Sequence, residues 1–266
     1  MEHRIQVNNA IRELFLEHRI FVQDNLKFDR FTGSLHFADN LQIEPHVELI
    51  GTNGELWSMG TSSYTNFGQF PVNTKIGRFT SISQNIKTFR TGISDSERFS
   101  ISPITFADKG TNRGNATHDV YGFIPLSAGF EMNKGFEPSP LFYEEEPIVI
   151  GNDVWIDQDV WIRSGVHIGD GAIIDLDSIV TKDIPPYTVC AGSPAVPLRQ
   201  RFADKIIERL EDLRWWEYPY WEFEGVNGDM PIETFIDRIE NLLHDGKLLP
   251  YIPAALTAPM LLNAAD

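Results

Sequence analysis

The chain is poor in cysteine and poor in cations. One cysteine, Cys190, stands among 266 residues. No intrachain disulfide can form, and such usage fits a reducing compartment. Lysine and arginine number 22 against 38 aspartates and glutamates, a net charge of −16. That sign argues against nucleic acid and against anionic membrane as partners. Long uncharged apolar runs are missing too. None approaches the roughly 18 residues of a membrane span. The apolar stretch LLPYIPAALTAPMLL is broken by Pro250, Pro253 and Pro259 and is expected to pack as a tail on a neighbouring surface. In MEHRIQVNNAIRELFLEHRIF the apolar residues are interrupted by Glu13, Glu17, His18 and Arg19, unlike a secretory leader. A cytoplasmic protein with no transmembrane segment is expected. The remaining balance, 42% hydrophobic and 23% charged, is that of a globular chain.

What the chain does have is a six-residue repeat. Ile150, Ile156, Ile162, Ile168, Ile174 and Val180 fall six apart, and four residues after each come Val154, Val160, Val166, Ala172, Ser178 and Ile184. A fixed short period of this kind is the signature of a hexapeptide β-helix. Three hexads make a circuit of 18 residues. Strand alternation sends Val154 and Ile156 inward, and Trp155, Trp161 and His167 outward. Trp155 is expected beside Ile173, and Trp161 beside Ile179. Large outward aromatics need a cover: a partner subunit, a ligand, or this chain's own loop or C-terminal helix. Asp157 falls near Asp175, and Asp159 near Asp177. These pairs read either as solvated corners or as a negative surface facing a cationic or polyhydroxyl substrate. The period does not fix the hand of the coil, and general crossover rules favour right-handed.

The flanks divide the chain. Residues 1–34 form a helical segment, with a helix over 4–21 expected from Ile5, Ile11, Leu14, Phe15 and Ile20. Residues 35–198 form the solenoid. Its early part, with Met59-Gly60 and Ile76 to Ile82, follows the period less regularly. Residues 93–148 have no period. A long aperiodic stretch inside a repeat protein is usually a functional excursion over one face. Residues 199–266 hold an amphipathic helix marked by Phe202, Ile206, Ile207 and Leu210, a second helix over 231–244, and the tail.

The segment IGNDVWIDQDVWIRSGVHIGDGAIIDLDSIVTKDIPPYTVCAGSPA resembles the hexapeptide-repeat acyltransferases. LRQRFADKIIERLEDLRWWEYP and the upstream MGTSSYTN and IGRFTSIS resemble their xenobiotic branch, the chloramphenicol and streptogramin acetyltransferases. The likeness covers about residues 56–218. It implies an all-β solenoid, a left-handed parallel β-helix, assembled as a homotrimer with acetyl-CoA between neighbouring prisms. On the matching positions, Trp155 would flank the reacting end of the donor. Gln158 and Leu176 would offer backbone contacts to its pantetheine arm. Thr181 and Lys182 would lie near its adenosine, and Arg199 would meet a phosphate. Arg201 would add positive charge nearby. The resemblance implies no metal.

Two departures stand out. Asp157, and the run Asp175 to Asp177, occupy positions where relatives carry glycine or small residues, so the donor cleft should be narrower or more polar. The family's catalytic histidine aligns with Ser94, or with Glu97 against the sugar-modifying relatives. Acyl transfer to a hydroxyl needs a base, and a histidine pKa suits that task. His118, beside Asp119 in the aperiodic stretch, is the best remaining candidate. Glu97 could serve if burial raised its pKa. His167 is read as a surface or interface residue. His3, His18 and His244 look incidental, and His36 and His46 stay open. Cys190 reads as a packed thiol.

The leading expectation is an acetyl-CoA-dependent O-acetyltransferase acting on a sugar or polysaccharide hydroxyl. An N-acetyltransferase of an amino sugar, an antibiotic acetyltransferase and a non-catalytic scaffold are the alternatives.

Overall fold

A computed structural model describes residues 1–23, 33–89, 99 and 146–265. The chain divides into two compact units. One comprises Met1–Phe89 with Glu146–Asp266, and the other is Arg90–Glu145. The first unit is mostly β, with helices at its ends.

All twelve apolar and small positions of the hexad pattern, from Ile150 to Ile184, are buried. Each large aliphatic side chain among them contributes about 2 kcal/mol of burial. Short strands carry them: Val149–Ile150, Trp155–Ile156, Trp161–Arg163, His167–Ile168, Ile173–Ile174 and Ile179–Val180. Consecutive strands belong to three different sheets, visited in rotation, and strands 18 residues apart pair in parallel. Trp155 pairs with Ile173 and Trp161 with Ile179, as the period requires.

The first sheet runs from Ile20–Gln23 through Val47–Ile50, Tyr64–Asn66, Ser81–Ile82, Trp155–Ile156 and Ile173–Ile174 to Thr188–Gly192 and Ala195–Gln200. The second holds Gln42–Ile43, Ser58–Met59, Lys75–Ile76, Val149–Ile150 and His167–Ile168, with Leu256–Thr257 at its edge. Among the described residues the third holds Lys87–Phe89, Trp161–Arg163 and Ile179–Val180. The strand before residues 90–145 therefore lies on the third sheet, and the strand after them on the second.

Corners recur with the same period. Asp153, Asp159 and Asp177 have φ of 54°, 60° and 55°, and Gly165 and Gly171 have 81° and 67°. Positive φ favours glycine, with aspartate and asparagine next. The corner demand therefore explains why aspartate and glycine stand at this point of the hexad. Asp159 and Asp177 are corner residues first of all.

The N-terminal segment differs from the expected single helix. A strand, Glu2–Gln6, pairs antiparallel with Ser34–Ala38. Helix α1 covers only Asn9–Glu17, capped by the Asn8 side chain, which accepts from Ile11 N at 2.8 Å. Strand Ile20–Gln23 then joins the first sheet. Ile5 and Ile20 are strand residues that happen to lie at helical spacing from the true helix. At the other end, helix α2 (Asp204–Leu213) and helix α3 (Ile232–His244) match the apolar pattern. The tail is ordered on this same chain. Leu256–Thr257 pairs with Gln42–Ile43. Helix α4 (Ala258–Ala265) packs on α1, and Asn8 Nδ2 donates to Ala264 O at 2.7 Å. Leu256, Ala258 and Leu261 belong to the same buried cluster as the hexad core.

No helix among the described residues is long and apolar enough to cross a membrane.

Candidate functional site

The outward side of the first sheet carries a continuous row. Tyr64 pairs with Ser81, Ser81 with Trp155, Trp155 with Ile173, Ile173 with Val189, and Val189 with Arg199. Trp155 is 56% exposed, a large value for an indole on a regular strand. Arg199 lies three strands away, about 14 Å at ~4.8 Å per strand. Half-buried Ile173 and Val189 fill the interval. The row is an aromatic end, an apolar middle and a cationic end. Among the described residues the Arg199 guanidinium donates only to the neighbouring Gln200 O, at 3.2 Å, which leaves most of its donors for a ligand.

Gln158 and Leu176 sit one circuit apart on the corner between the first and third sheets, and Asp177 N donates to Gln158 O at 3.2 Å. Both amides are already engaged. Gln158 N donates to Asp157 Oδ1 at 2.7 Å, and Leu176 N to Asp175 Oδ1 at 3.0 Å. Asp157 and Asp175 thus act locally, as carboxylates folded back on the next amide. Thr181 and Lys182 follow Ile179–Val180, at the far end of the third sheet from that corner. Lys182 is exposed. The six positions therefore fall into three places: the row, the corner, and the strand end.

Arg201 differs from its expected role as a free cation. Its Nη1 donates to Asp153 Oδ2 at 2.9 Å and to Gly171 O at 2.8 Å, and its guanidinium lies over the rings of Tyr187 and Phe202. Burial raises the Asp153 carboxyl above its ordinary range, while the Arg201 charge opposes the rise. This ion pair fastens the approach to α2 onto the corner at Asp153.

A cavity of about 410 Å³ is lined by Arg78, Asn152, Arg214, Trp216, Glu217 and Tyr251, among others. It contains none of the six candidate positions. Its cations are occupied. Arg78 Nε and Nη2 fork onto the Glu44 carboxylate, both at 2.7 Å, and Arg78 also donates to Trp216 O and Tyr251 O. Arg214 pairs with Glu217 at 2.7 Å. This is a structural junction.

Each described histidine contacts a group of its own. His3 meets Asp39, His18 meets Leu14 O, His36 meets Glu2, His46 meets Arg19, His167 meets Asp183 and His244 meets Asp245. His118, Glu97 and Ser94 lie outside the described residues. Burial raises the Cys190 thiol, and the side chain is fully buried, so it is a packed thiol.

The third sheet shows what sequence reading missed. Lys87 pairs with Trp161, and Phe89 with Arg163. The Lys87 ammonium lies 5.1 Å from the Trp161 ring centroid. The aperiodic stretch separates the two strands in sequence, so no local pattern could have linked them.

No protein-family model matches the chain. Curated relatives do. A probable macrolide acetyltransferase of Lysinibacillus sphaericus is 34% identical over 142 residues, 53% of this chain and 76% of that protein. A chloramphenicol acetyltransferase of Klebsiella aerogenes is 38% identical over 108 residues, 35% of this chain and 50% of that protein. A galactoside O-acetyltransferase of Escherichia coli strain K12 is 56% identical over 54 residues, 20% of this chain and 27% of that protein. The chain spans about half the length of several of the curated relatives it matches. The 18-residue rotation through three sheets and the identity maintained over three quarters of one relative lead to one conclusion: this chain belongs to the hexapeptide-repeat acyltransferases, in the branch that contains the xenobiotic acetyltransferases.

Proposed function

We propose that the protein is an acetyl-CoA-dependent O-acetyltransferase acting on a sugar or polysaccharide hydroxyl. Its solenoid is a left-handed parallel β-helix, and its working form is a homotrimer. The observation that carries the reading is the row from Trp155 to Arg199. An exposed indole, an apolar interval and a guanidinium about 14 Å away suit an acyl donor with a thioester end, an apolar arm and phosphates. Lys182 supplies a second cation in an acidic chain. The fit is good on charge and polarity. It is tighter than usual at the corner, where Asp157 and Asp175 hold the amides of Gln158 and Leu176.

The bound donor supplies an activated acetyl group as a thioester. His118 takes the proton of the acceptor hydroxyl as its oxygen attacks the thioester carbonyl, with Glu97 as the competing base. The C–O bond forms, the C–S bond breaks, and the proton passes to the departing thiolate. Trp155 walls the reacting end against water, and Arg199 anchors the far end.

The sugar acceptor is supported by the short, strong likeness to a galactoside O-acetyltransferase. A second reading, antibiotic acetylation, is favoured by relatives named for chloramphenicol and macrolides.

The test is thiol release from acetyl-CoA across oligosaccharides, amino sugars and antibiotics. Turnover with oligosaccharides alone is expected; turnover with antibiotics alone selects the second reading. Saturating acetyl-CoA should raise the melting temperature, and no shift would sink both. His118→Ala should abolish transfer and spare donor binding. Full activity in that variant transfers the role to Glu97.

A further inference from the structure

The third sheet carries a compact tile of alternating chemistry. Lys87 stands opposite Trp161, and Phe89 opposite Arg163. Residues two apart on a strand share a face, so all four side chains project from the same outer surface. Thr88 and Ile162, between them, point the other way, and Ile162 is fully buried. Each cation thus has a ring across the strand pair and another along its own strand. The cations lie on the diagonal, about 8 Å apart at Cα. The Lys87 ammonium rests 5.1 Å from the Trp161 centroid, yet Trp161 stays 40% exposed. Arg163 has no side-chain partner among the described residues.

The charge here runs against the rest of the molecule. The chain carries 38 acidic residues against 22 basic ones, but the strands Lys87–Phe89, Trp161–Arg163 and Ile179–Val180 contain no acid at all. Two cations about 8 Å apart, with no acidic partner among the described residues, would be mildly repulsive with nothing between them. An anion placed between them removes that cost. The rings beside them offer flat apolar surface. A ligand that answers both features has a ring with an apolar C–H face and a carboxylate attached to it.

We propose that this tile selects an acceptor glycan bearing carboxylates, a uronate-type sugar whose ring packs on Trp161 while its carboxylate lies between Lys87 and Arg163. The inference rests on the glycan O-acetyltransferase reading and narrows its substrate to acidic glycans. Placement agrees with it. The tile lies on the third sheet, on the strands Lys87–Phe89 and Trp161–Arg163. The same sheet is bounded by the Gln158 and Leu176 corner on one side and by Thr181 and Lys182 on the other.

The test is titration calorimetry of the full chain with a galacturonate oligosaccharide and with its neutral galactose counterpart, over a series of salt concentrations. The variants are Lys87→Ala, Lys87→Arg, Arg163→Gln and Trp161→Ala. The acidic oligomer should bind, and its advantage over the neutral one should shrink as salt rises. Lys87→Ala and Arg163→Gln should each weaken it roughly tenfold. Lys87→Arg should retain binding, and Trp161→Ala should weaken both oligomers. Binding is read directly, so it does not depend on turnover; thiol release reports separately on the parent reading. Four results overturn the proposal: equal binding of the two oligomers, binding of neither, loss of acetyl-CoA affinity in the cation variants, or dissociation of copies of the chain in those variants by sedimentation. The last two would assign the tile to the acyl donor or to a subunit contact.

Discussion

The backbone amide of Gln158 donates to the carboxylate of Asp157, the residue before it, at 2.7 Å. One circuit later Leu176 repeats the arrangement with Asp175 at 3.0 Å. These are the two amides that the donor's arm would use. A ligand carbonyl that reaches them must first displace a carboxylate, exchanging one hydrogen bond for another at a net difference on the order of 1 kcal/mol.

Asp157→Ala and Asp175→Ala should therefore tighten acetyl-CoA binding, each by roughly 3–10-fold. Calorimetry with the purified chain measures it. Unchanged affinity in both variants would remove the two amides from the donor site.

Trp155 and Arg199 stand at opposite ends of one row and should fail differently. Trp155→Ala should weaken acetyl-CoA and dephospho-CoA alike, about tenfold. Arg199→Ala should weaken acetyl-CoA by roughly tenfold and should do so less at high salt. Equal losses for both ligands in the Arg199 variant would mean that it does not read a terminal phosphate.

Arg201 is expected to matter for folding rather than for ligand. Arg201→Met leaves Asp153 without its partner at a half-buried corner, at a cost of about 1–2 kcal/mol. Urea denaturation should show the loss, and acetyl-CoA affinity should hold.

Glu211 gives the stability a pH dependence. Burial raises its carboxyl above the ordinary range, and the nearby Asp170 charge pushes the same way. Its Oε1 is buried without a hydrogen-bond partner among the described residues. An acid whose pKa is higher in the folded state is more readily protonated there. Its stabilising contribution is complete below the unfolded value and is lost as pH rises through the folded one. Melting temperature should therefore fall as pH rises out of the ordinary carboxylate range. Glu211→Gln should flatten that fall and raise the neutral melting temperature. A profile identical to wild type would show that this carboxyl does not titrate on folding.

The fold was legible where the period is strict. From Ile150 to Ile184 the inward positions, the outward tryptophans and the 18-residue partners all follow from spacing. The two C-terminal helices were equally plain. The N-terminal strands were not, because Ile5 and Ile20 alternate with period two beside a true helix and mimic its continuation. The tail's destination was hidden as well. Its prolines exclude a membrane span, but nothing local says that Leu256 will pair beside Ile43 or that α4 will pack on α1.

The candidate site divides along the same line. The sequence by itself determined that Trp155 and Trp161 face outward, because the backbone sets side-chain direction at every strand residue. It also determined that each would have a partner 18 residues on. Tertiary structure alone decided which groups remain available to a ligand. Asp157 and Asp175 turn back on their own corner amides, and Arg201 is consumed by Asp153, whereas Arg199 stays mostly free. It also decided that Lys87 lies over Trp161. The reason is physical. A short period fixes direction locally, but contact between strands separated by a long aperiodic stretch exists only once the circuits have closed.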